Sequence, residues 1–201
     1  MPPVRRVIQI PKATPVLQPA PPPAIRTSYA EEGVDAYYET RGSSYQNPHA
    51  AGVQRLVVES LNWGVDTTKV LDLACGAGEV SLALMSQGVP LSQIDACDPY
   101  TAVAYQAAVG HLPEPWRFVD LSQGVAGDRR WSLIIASFAL HLCPPSLLPV
   151  LIPSLARHCT GHLLVLTPHK RPILLPEWGF LLVRDDYDAT TRVRARLYSI
   201  A

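Results

Sequence analysis

Short apolar runs alternate with longer helical patterns over most of the chain. The runs of strand length are Val70–Ala74, Gln93–Cys97, Trp116–Val119, Trp131–Ala136 and Leu163–Thr167. Helical spacing of apolar residues separates them at Glu79–Gln87, Thr101–Val109 and Ser146–His158. Such alternation is typical of a doubly wound, mostly parallel sheet with helices on both faces. In the last helix Pro149 falls near the start, where proline is tolerated, whereas Pro153 predicts a kink.

The two ends of this alternating region have different patterns. Beyond Glu177, two strand-like runs flank the polar turn RDDYDATT, which predicts a closing antiparallel hairpin. Before the sheet we expect a helix over residues 30–40 and a longer one opened by NPH, where Asn47 can cap and Pro48 fits the first turn. The longer helix has an apolar face that should be buried, formed by Val53, Leu56, Val57, Ser60 and Leu61. We therefore expect residues 28–63 to form a helical lid.

The first 27 residues are expected to be a disordered arm. Eight prolines in the first 23 residues forbid a continuous helix, and the arm has too little apolar surface to fold by itself. Residues 28–201 are therefore predicted to form one domain, a size that suits a single substantial core.

Composition narrows the function without identifying it. Seventeen basic residues balance seventeen acidic ones, so no overall charge attracts the protein to nucleic acid or an anionic membrane. No apolar run reaches the length of a membrane span, and none near the start resembles a signal peptide. The four cysteines are far apart with no CxxC pair, which indicates reduced thiols and no metal site. We therefore expect a soluble, cytoplasmic protein.

A turn with two glycines follows the first predicted strand. The stretch VLDLACGAGEVSLAL begins as a strand, passes through Gly76 and Gly78, and continues with the apolar spacing of a helix. Glycine allows positive φ and close approach to a ligand, and the helix beginning at Glu79 offers unpaired N–H groups. Because ligands of open α/β sheets bind at the carboxyl ends of the strands, we expect a nucleotide-like ligand here.

A carboxylate ends the second predicted strand. Asp98 of IDACDPY lies 20 residues after Gly78, the spacing at which an acid can accept hydrogen bonds from a ribose diol. Ser81 stands where the dinucleotide fingerprint GxGxxG has Gly or Ala, and no GxxxxGK[ST] phosphate loop occurs. The residues alone leave two adenosine-containing cofactors open, a nicotinamide dinucleotide and S-adenosylmethionine.

These two stretches resemble the first two motifs of class I S-adenosylmethionine-dependent methyltransferases. The resemblance implies a Rossmann-like, doubly wound, mostly parallel seven-stranded sheet with a C-terminal antiparallel hairpin, and S-adenosyl-L-methionine as cofactor. It places the glycine turn along the methionine part, Asp98 on the ribose and Asp120 of FVDLS on the adenine. The cofactor-binding residues that it implies are Asp72, Ala74, Cys75, Gly76, Gly78, Asp98, Pro99, Asp120, Leu121 and Ser137. At Ala74 the family more often has glycine.

The methyl acceptor is predicted from the loops at the same end of the sheet. His141 of ASFALHLCPP is the candidate catalytic base, since its unperturbed pKa lies near neutrality. The loops YYETRGSSYQNPH and TPHKRP should reach the same rim. They supply most of the candidate substrate-binding residues, which are Tyr38, Tyr45, His49, Phe138, His169 and Lys170, with Arg171 beside them.

Several functions remain open at this point. We expect methyl transfer to an O or N nucleophile of a small molecule. Methylation of RNA or protein, an NAD-dependent oxidoreductase and a catalytically silent methyltransferase-fold partner are the alternatives. The loop lacks the Asn/Asp-Pro-Pro-Tyr/Phe form of enzymes that methylate adenine or glutamine amino groups. The sequence does not determine the oligomeric state.

Overall fold

The computed structural model describes residues 33–47 and 49–201, without the side chains of three residues in the first part, at positions 34, 35 and 44. Its helices are α1 (Val34–Arg41), α2 (Ala50–Leu61), α3 (Glu79–Ser86), α4 (Ala102–Val109), α5 (Phe118–Ser122) and α6 (Leu148–His158). Its strands are β1 (Val70–Leu73), β2 (Ile94–Cys97), β3 (Trp131–Ser137), β4 (Cys159–Thr167), β5 (Phe180–Asp188) and β6 (Val193–Ile200). The expected arm of residues 1–27 and the predicted helix-opening Pro48 lie outside the described residues.

The strands of the described residues form one sheet in the order β2-β1-β3-β4-β6-β5. Four neighbouring strands are parallel, so that Leu73 of β1 lies between Cys97 of β2 and Ala136 of β3. The last two strands form an antiparallel hairpin, and β6 pairs with β4. The Rossmann-like fold class and the C-terminal hairpin predicted from the sequence are thereby confirmed, although the sheet has six strands instead of seven.

The missing strand is the predicted run Trp116–Val119, and that prediction is wrong. Glu114 makes only an isolated parallel bridge with Cys97, through two backbone hydrogen bonds of 2.8 and 2.9 Å. Immediately afterwards the chain turns into α5, because the Asp120 carboxylate accepts the backbone N–H of Arg117 at 2.8 Å. An acid at the third position of a helix can accept the backbone N–H of the cap residue before it, which favours the helix over a strand.

Both faces of the sheet are covered by helices. Alternate residues of β3 point to opposite sides: Leu133 and Ile135 pack with α2 and α3, whereas Ile134 and Ala136 pack with α5 and α6. This alternation is the two-residue period of a strand buried on both faces. Helix α6 runs through Pro153, with Pro149 in its first turn. The resulting layers hold the carboxyl ends of β1, β2 and β3 at one edge.

The N-terminal helices lie beside that edge. In α2 the predicted face is buried at Val53, Leu56, Val57 and Ser60. The helix begins after His49, whose backbone N–H donates to the Asn47 side chain at 2.8 Å, so Asn47 supports the preceding turn instead of the helix cap. No helix in the described part of the chain is long and apolar enough to cross a membrane.

Candidate functional site

The turn after β1 has three residues with positive φ. Ala74, Gly76 and Gly78 have φ of 55, 57 and 93 degrees, conformations that glycine adopts without steric cost. A side chain at Gly78 would meet Val109 at 2.5 Å, so this glycine allows α4 to pack closely against the turn. A side chain at Gly76 would instead face the Tyr45 ring at 3.2 Å. The same turn therefore contains one glycine fixed by packing and one that faces the lid.

Asp72 lies beneath the turn and is 1% exposed. Its Oδ2 accepts the backbone N–H and the hydroxyl of Ser81 at 3.1 and 2.7 Å, and the Tyr105 hydroxyl lies 2.8 Å from that of Ser81. Burial raises the pKa of Asp72 to about 8, although the hydrogen bonds from Ser81 oppose the shift. The predicted cofactor residue Asp72 thus supports the turn from below and does not line the cavity described next.

A cavity of about 720 Å³ opens where β1, β2 and β3 end. The predicted cofactor residues that line it are Ala74, Cys75, Gly76, Asp98, Pro99 and Ser137. The predicted acceptor residues that line it are Tyr38, Tyr45 and Phe138. Its volume falls within the range of small-molecule sites. The structure therefore brings nine of the predicted residues together around one cavity.

Asp98 connects the second strand to the glycine turn. Its Oδ2 accepts the backbone N–H of Gly76 at 3.2 Å, and its Oδ1 accepts those of Tyr100 and Thr101 at 2.9 and 3.1 Å. Burial raises its pKa, and these backbone hydrogen bonds lower it. Asp98 is 7% exposed and lies in the cavity wall, where a carboxylate oxygen can still accept a hydroxyl.

Glu79 is a site residue that the sequence reasoning did not select. It is the first residue of α3, lies in the cavity wall and is 9% exposed. Burial raises its pKa, while the backbone N–H groups of Glu79 itself, Asn47 and Ala77 bind the carboxylate. The sequence feature that could have indicated a role in the site is its position directly after the second glycine of the turn. It links the glycine turn to the segment between α1 and α2.

Aromatic residues of the N-terminal segment cover one side of the cavity. The Tyr38 ring stacks on Tyr100 with centroids 5.9 Å apart and meets the Tyr45 ring at 5.4 Å. Gly42 lies so close to Tyr100 that an added side chain would meet its carbonyl oxygen at 2.3 Å. These contacts place α1 and the turn after it against Tyr100, shortly after the end of β2, and the lid role stays a prediction. His49 is outside the cavity wall and stacks on Phe138, with ring centroids 5.1 Å apart.

The end of β3 contributes a free hydroxyl and a strained residue. The Ser137 Oγ is buried and has no hydrogen-bond partner in the described structure. Phe138 has φ of 54 degrees, and its backbone N–H donates to the Leu166 carbonyl at 2.8 Å. Unpaired buried polar atoms and positive φ at bulky residues are costly and concentrate at functional sites.

The segment before and within α5 forms the opposite wall. Trp116, Arg117, Phe118 and Val119 line the cavity, and none of them was selected from the sequence. The predicted Asp120 caps α5, and the predicted Leu121 is buried in the core at 1% exposure. The helix turns these two side chains away, whereas the expected strand would have placed Asp120 at its end. The roles assigned to them by resemblance stay predictions.

His141 and His169 form a pair outside the cavity wall, with ring centroids 4.7 Å apart. Burial lowers the pKa of His141 to about 4, with a smaller contribution from His169. The Nδ1 of His141 is buried without a partner among the described residues. The imidazole of His141 is therefore neutral at physiological pH.

A buried arginine holds the loop that carries His169 and Lys170. The Arg196 guanidinium, 4% exposed, donates to the carbonyls of Lys170 and Pro172 at 2.8 and 2.9 Å. His169, Lys170 and Arg171 are exposed and do not line the cavity. The loop is thus fixed by its backbone while its basic side chains face solvent.

The thiols in this region are buried and protonated. Burial raises the pKa of Cys75, and raises that of Cys97 to about 12. All four cysteines are free. Within residues 33–47 and 49–201, no group of three or more His, Cys, Asp or Glu side chains is arranged to hold a metal ion.

Comparison with solved structures identifies the fold. Magnesium protoporphyrin IX methyltransferase from Synechocystis PCC 6803 with bound SAM aligns with a TM-score of 0.56 at 19% identity, over 88% of this chain and 95% of that one. A SAM-dependent methyltransferase from Leishmania major aligns with a TM-score of 0.61 at 13% identity, over 85% and 84% of the two chains. The sheet order, the glycine turn and these likenesses define the class I SAM-dependent methyltransferase fold.

A curated relative gives the family. An uncharacterized protein of Schizosaccharomyces pombe is 33% identical over 200 residues, which covers 79% of this chain and 80% of the relative. This chain belongs to the same family as that fission-yeast protein. No family model matches the chain.

Proposed function

We propose that this protein transfers a methyl group from S-adenosyl-L-methionine to an O or N nucleophile of a small molecule. The observation that carries the proposal is the single cavity that joins the glycine turn, the Asp98 carboxylate and the unpaired Ser137 hydroxyl. Solved structures of the same fold contain bound SAM or SAH. The cavity is therefore proposed to hold the methyl donor and the acceptor together.

The residues of the cavity fit the donor. Asp98 has acceptor capacity left for ribose hydroxyls, and Phe118 and Val119 provide apolar contact area for a purine. Glu79 places a carboxyl group beside the glycine turn, where it would favour a nearby cation. The bound cofactor would supply an electrophilic methyl group on a sulfonium. The Ser81 hydroxyl bonded to Asp72 fills the third position of the fingerprint, which disfavours a dinucleotide.

The charges of the cavity wall favour a neutral or cationic acceptor. Three described acids line it, Glu39, Glu79 and Asp98, against one described base, Arg117. The basic triplet 169–171, which the sequence suggested for an anionic acceptor, lies elsewhere. Tyr38, Tyr45 and Phe138 add aromatic faces that suit planar or cationic molecules. Such a wall repels the phosphates of a nucleic acid.

The rate is proposed to come from positioning, with His141 as the proton acceptor for a hydroxyl nucleophile. Holding two reactants in line replaces a bimolecular encounter with a reaction between bound groups, which lowers the entropic part of the activation barrier. His141 is neutral at physiological pH, but it lies outside the cavity wall and its Nδ1 is buried, so the proton would have to reach it through an intervening group. Its low pKa makes it a weak base, which suits a hydroxyl that is already acidic.

Calorimetric titration with S-adenosylhomocysteine and with NADH tests the cofactor. We expect binding of S-adenosylhomocysteine alone, and a loss of affinity of about tenfold or more in Asp98→Asn, because a carboxylate hydrogen bond is removed. Asp128→Asn, at an exposed acid outside the cavity, is the matched control. Preferential binding of NADH, or unchanged affinity in Asp98→Asn, would contradict the assignment.

A labelled methyl donor supplied with a metabolite pool tests turnover. Labelling should appear in the small-molecule fraction, fall strongly in Asp98→Asn and fall in His141→Ala if the acceptor is a hydroxyl. Equal labelling by wild type and His141→Ala would remove His141 from the mechanism. Label that enters only RNA or protein would show that the acceptor is a macromolecule instead of a small molecule. Cofactor binding without any labelling would favour a catalytically silent methyltransferase-fold partner.

A further inference from the structure

Strand β5 is an edge strand with unusually exposed side chains. Among the described residues it pairs only with β6, so within this part of the chain its outer edge has a row of backbone donors and acceptors without strand partners. Residues 181–185 are all exposed, and Val183 and Tyr187 are each 54% exposed. Exposed apolar edges of this kind are templates for pairing with another strand.

Only part of β5 is regular enough to extend the sheet. A bulge interrupts its pairing with β6 between Leu182 and Arg184, and from Arg184 to Asp188 the register continues without a break. This second half has the charge sequence Arg-Asp-Asp-Tyr-Asp. Charged residues usually prevent pairing at an edge, so the partner strand must bring the opposite charges to the same positions.

A second copy of β5 brings the opposite charges in one register. In an antiparallel pair centred on Asp185, Arg184 of each copy lies opposite Asp186 of the other. Their side chains are 48% and 47% exposed and already share a 2.8 Å ion pair within one chain. Centring the pair on Arg184 places two guanidinium groups opposite each other. Centring it on Asp186 or on Asp185 places two carboxylates together, but Asp186 has one ion-pair partner within its chain, Arg184, whereas Asp185 has two, Arg194 and Arg196. Register is therefore specified by charge.

The residue at the centre of this pair is already neutralised. Asp185 accepts from Arg194 at 2.7 Å and from Arg196 at 3.4 Å, so two copies of Asp185 can face each other without two free negative charges. The same register places Tyr187 opposite Val183 of the other copy, but Val183 lies at the bulge, so regular pairing about Asp185 is limited to Arg184, Asp185 and Asp186. The arrangement therefore rests on the charges of these three residues.

We propose that the protein forms a homodimer in which two β5 strands pair antiparallel about a twofold axis at Asp185. The pairing joins two six-stranded sheets into one continuous sheet. Because a ladder of about three regular residues buries less than the ~1,000 Å² of a stable specific interface, the dimer is weak and depends on protein concentration. The interface lies at the opposite end of the sheet from β2.

Sedimentation of the full chain over a concentration series, with a charge-swap set, tests the proposal. Arg184→Asp and Asp186→Arg each place like charges opposite each other and should weaken dimerisation about tenfold or more. An equimolar mixture of the two variants should form a heterodimer. Positions 184 and 186 are then both acidic in one chain and both arginine in the other, so each acid faces an arginine. The double variant should dimerise like the wild type.

The mixture separates a charge effect from a folding defect, and circular dichroism of each variant checks that it is folded. A wild type that stays monomeric at every concentration would overturn the proposal. The outer edge of β5 would then be available for pairing with residues 1–32 or with another protein. Dimers that persist in both single variants would also overturn it, since the copies would then meet elsewhere. Folded single variants that fail to associate on mixing would exclude this register.

Discussion

Gly76 and Gly78 stand two positions apart in one turn but are constrained by different neighbours. Gly78 faces Val109 of α4, inside the fold, whereas Gly76 faces the Tyr45 ring, beside it in the cavity wall. Ala74 in the same turn shows that a methyl group is tolerated at a φ of 55 degrees, close to the 57 degrees of Gly76. Folding and ligand binding can therefore be separated within this turn.

Gly78→Ala should destabilise the protein, whereas Gly76→Ala should mainly weaken cofactor binding. A methyl group at position 78 meets Val109 at 2.5 Å with φ at 93 degrees, so we expect a loss of about 2 kcal/mol or more of unfolding free energy. At position 76 the left-handed conformation costs about 1 kcal/mol. There the methyl group meets the Tyr45 ring of the cavity wall at 3.2 Å and would displace it, and affinity for S-adenosylhomocysteine should fall about tenfold.

Denaturant unfolding and calorimetry measure the two effects. Ala74→Gly is the matched control, because it relieves positive φ in the same turn without adding atoms, and its stability should rise slightly or stay unchanged. Equal losses of unfolding free energy in the two glycine variants would refute the separation.

At this scale the sequence predicted the residues whose spacing carries chemistry. Asp98 was found because it ends a strand at a fixed distance from the glycines, and the structure places it in the cavity wall. Glu79 and Tyr100 were missed, because their roles depend on contacts with the segment before α2, which lies far away in the chain. Local spacing does not encode such contacts.

Helix α5 is the element where sequence pattern and structure differ most. The run WRFV has the aromatic and β-branched composition of a strand, but the Asp120 cap turns it into a short helix. The parallel strands were easier to predict, because β1 and β3 are buried on both faces and consist mostly of apolar residues. The start of β4 at Cys159 was missed because its first residues are partly exposed and polar.

Asp120→Ala distinguishes a helix cap from a cofactor ligand. The loss of a cap hydrogen bond should lower the unfolding free energy by about 1 kcal/mol, while affinity for S-adenosylhomocysteine stays within about twofold. Unfolding curves and calorimetry of the same preparation measure both quantities. An affinity loss of tenfold at unchanged stability would instead support the adenine contact implied by resemblance.

Three acids with raised pKa surround the glycine turn, and this cluster affects the stability of the whole molecule. Asp72, Glu79 and Asp98 are each buried, and burial is the largest cause of each shift. An acid with a higher pKa in the folded state binds more protons there than in the unfolded chain. Its contribution to stability is complete below the unfolded pKa and is lost as pH rises through the folded pKa.

Asp72→Asn should make the protein less sensitive to alkaline pH. Between pH 4 and the pKa of about 8 for Asp72, the unfolding free energy of the wild type should fall relative to the variant. The expected slope is on the order of 1 kcal/mol per pH unit at most. Urea unfolding at pH 5, 6.5 and 8 measures it, with Asp128→Asn as an exposed control. Parallel pH profiles for wild type and Asp72→Asn would show that Asp72 stays ionised.

The acceptor is the property of the whole molecule that the sequence could not predict. Beyond the glycine turn and Asp98, the cavity wall is made by Tyr38 of α1, Tyr45, the end of β3 and the segment before α5, regions that meet only in the folded protein. Six predicted cofactor residues and three predicted acceptor residues line this cavity, while His49, His141, His169 and Lys170 lie outside it. The cytoplasmic location stays a prediction.

The buried guanidinium of Arg196 has an evolutionary consequence. One side chain of the last strand holds the carbonyls of both Lys170 and Pro172, so the identity of that side chain and the length of the loop are constrained together. An insertion between the two carbonyls would leave a buried cation with fewer partners, which is costly. Relatives in which the length of this loop differs should therefore also have another residue in place of the arginine. Where the arginine is kept, relatives should differ in this loop by substitutions rather than by insertions.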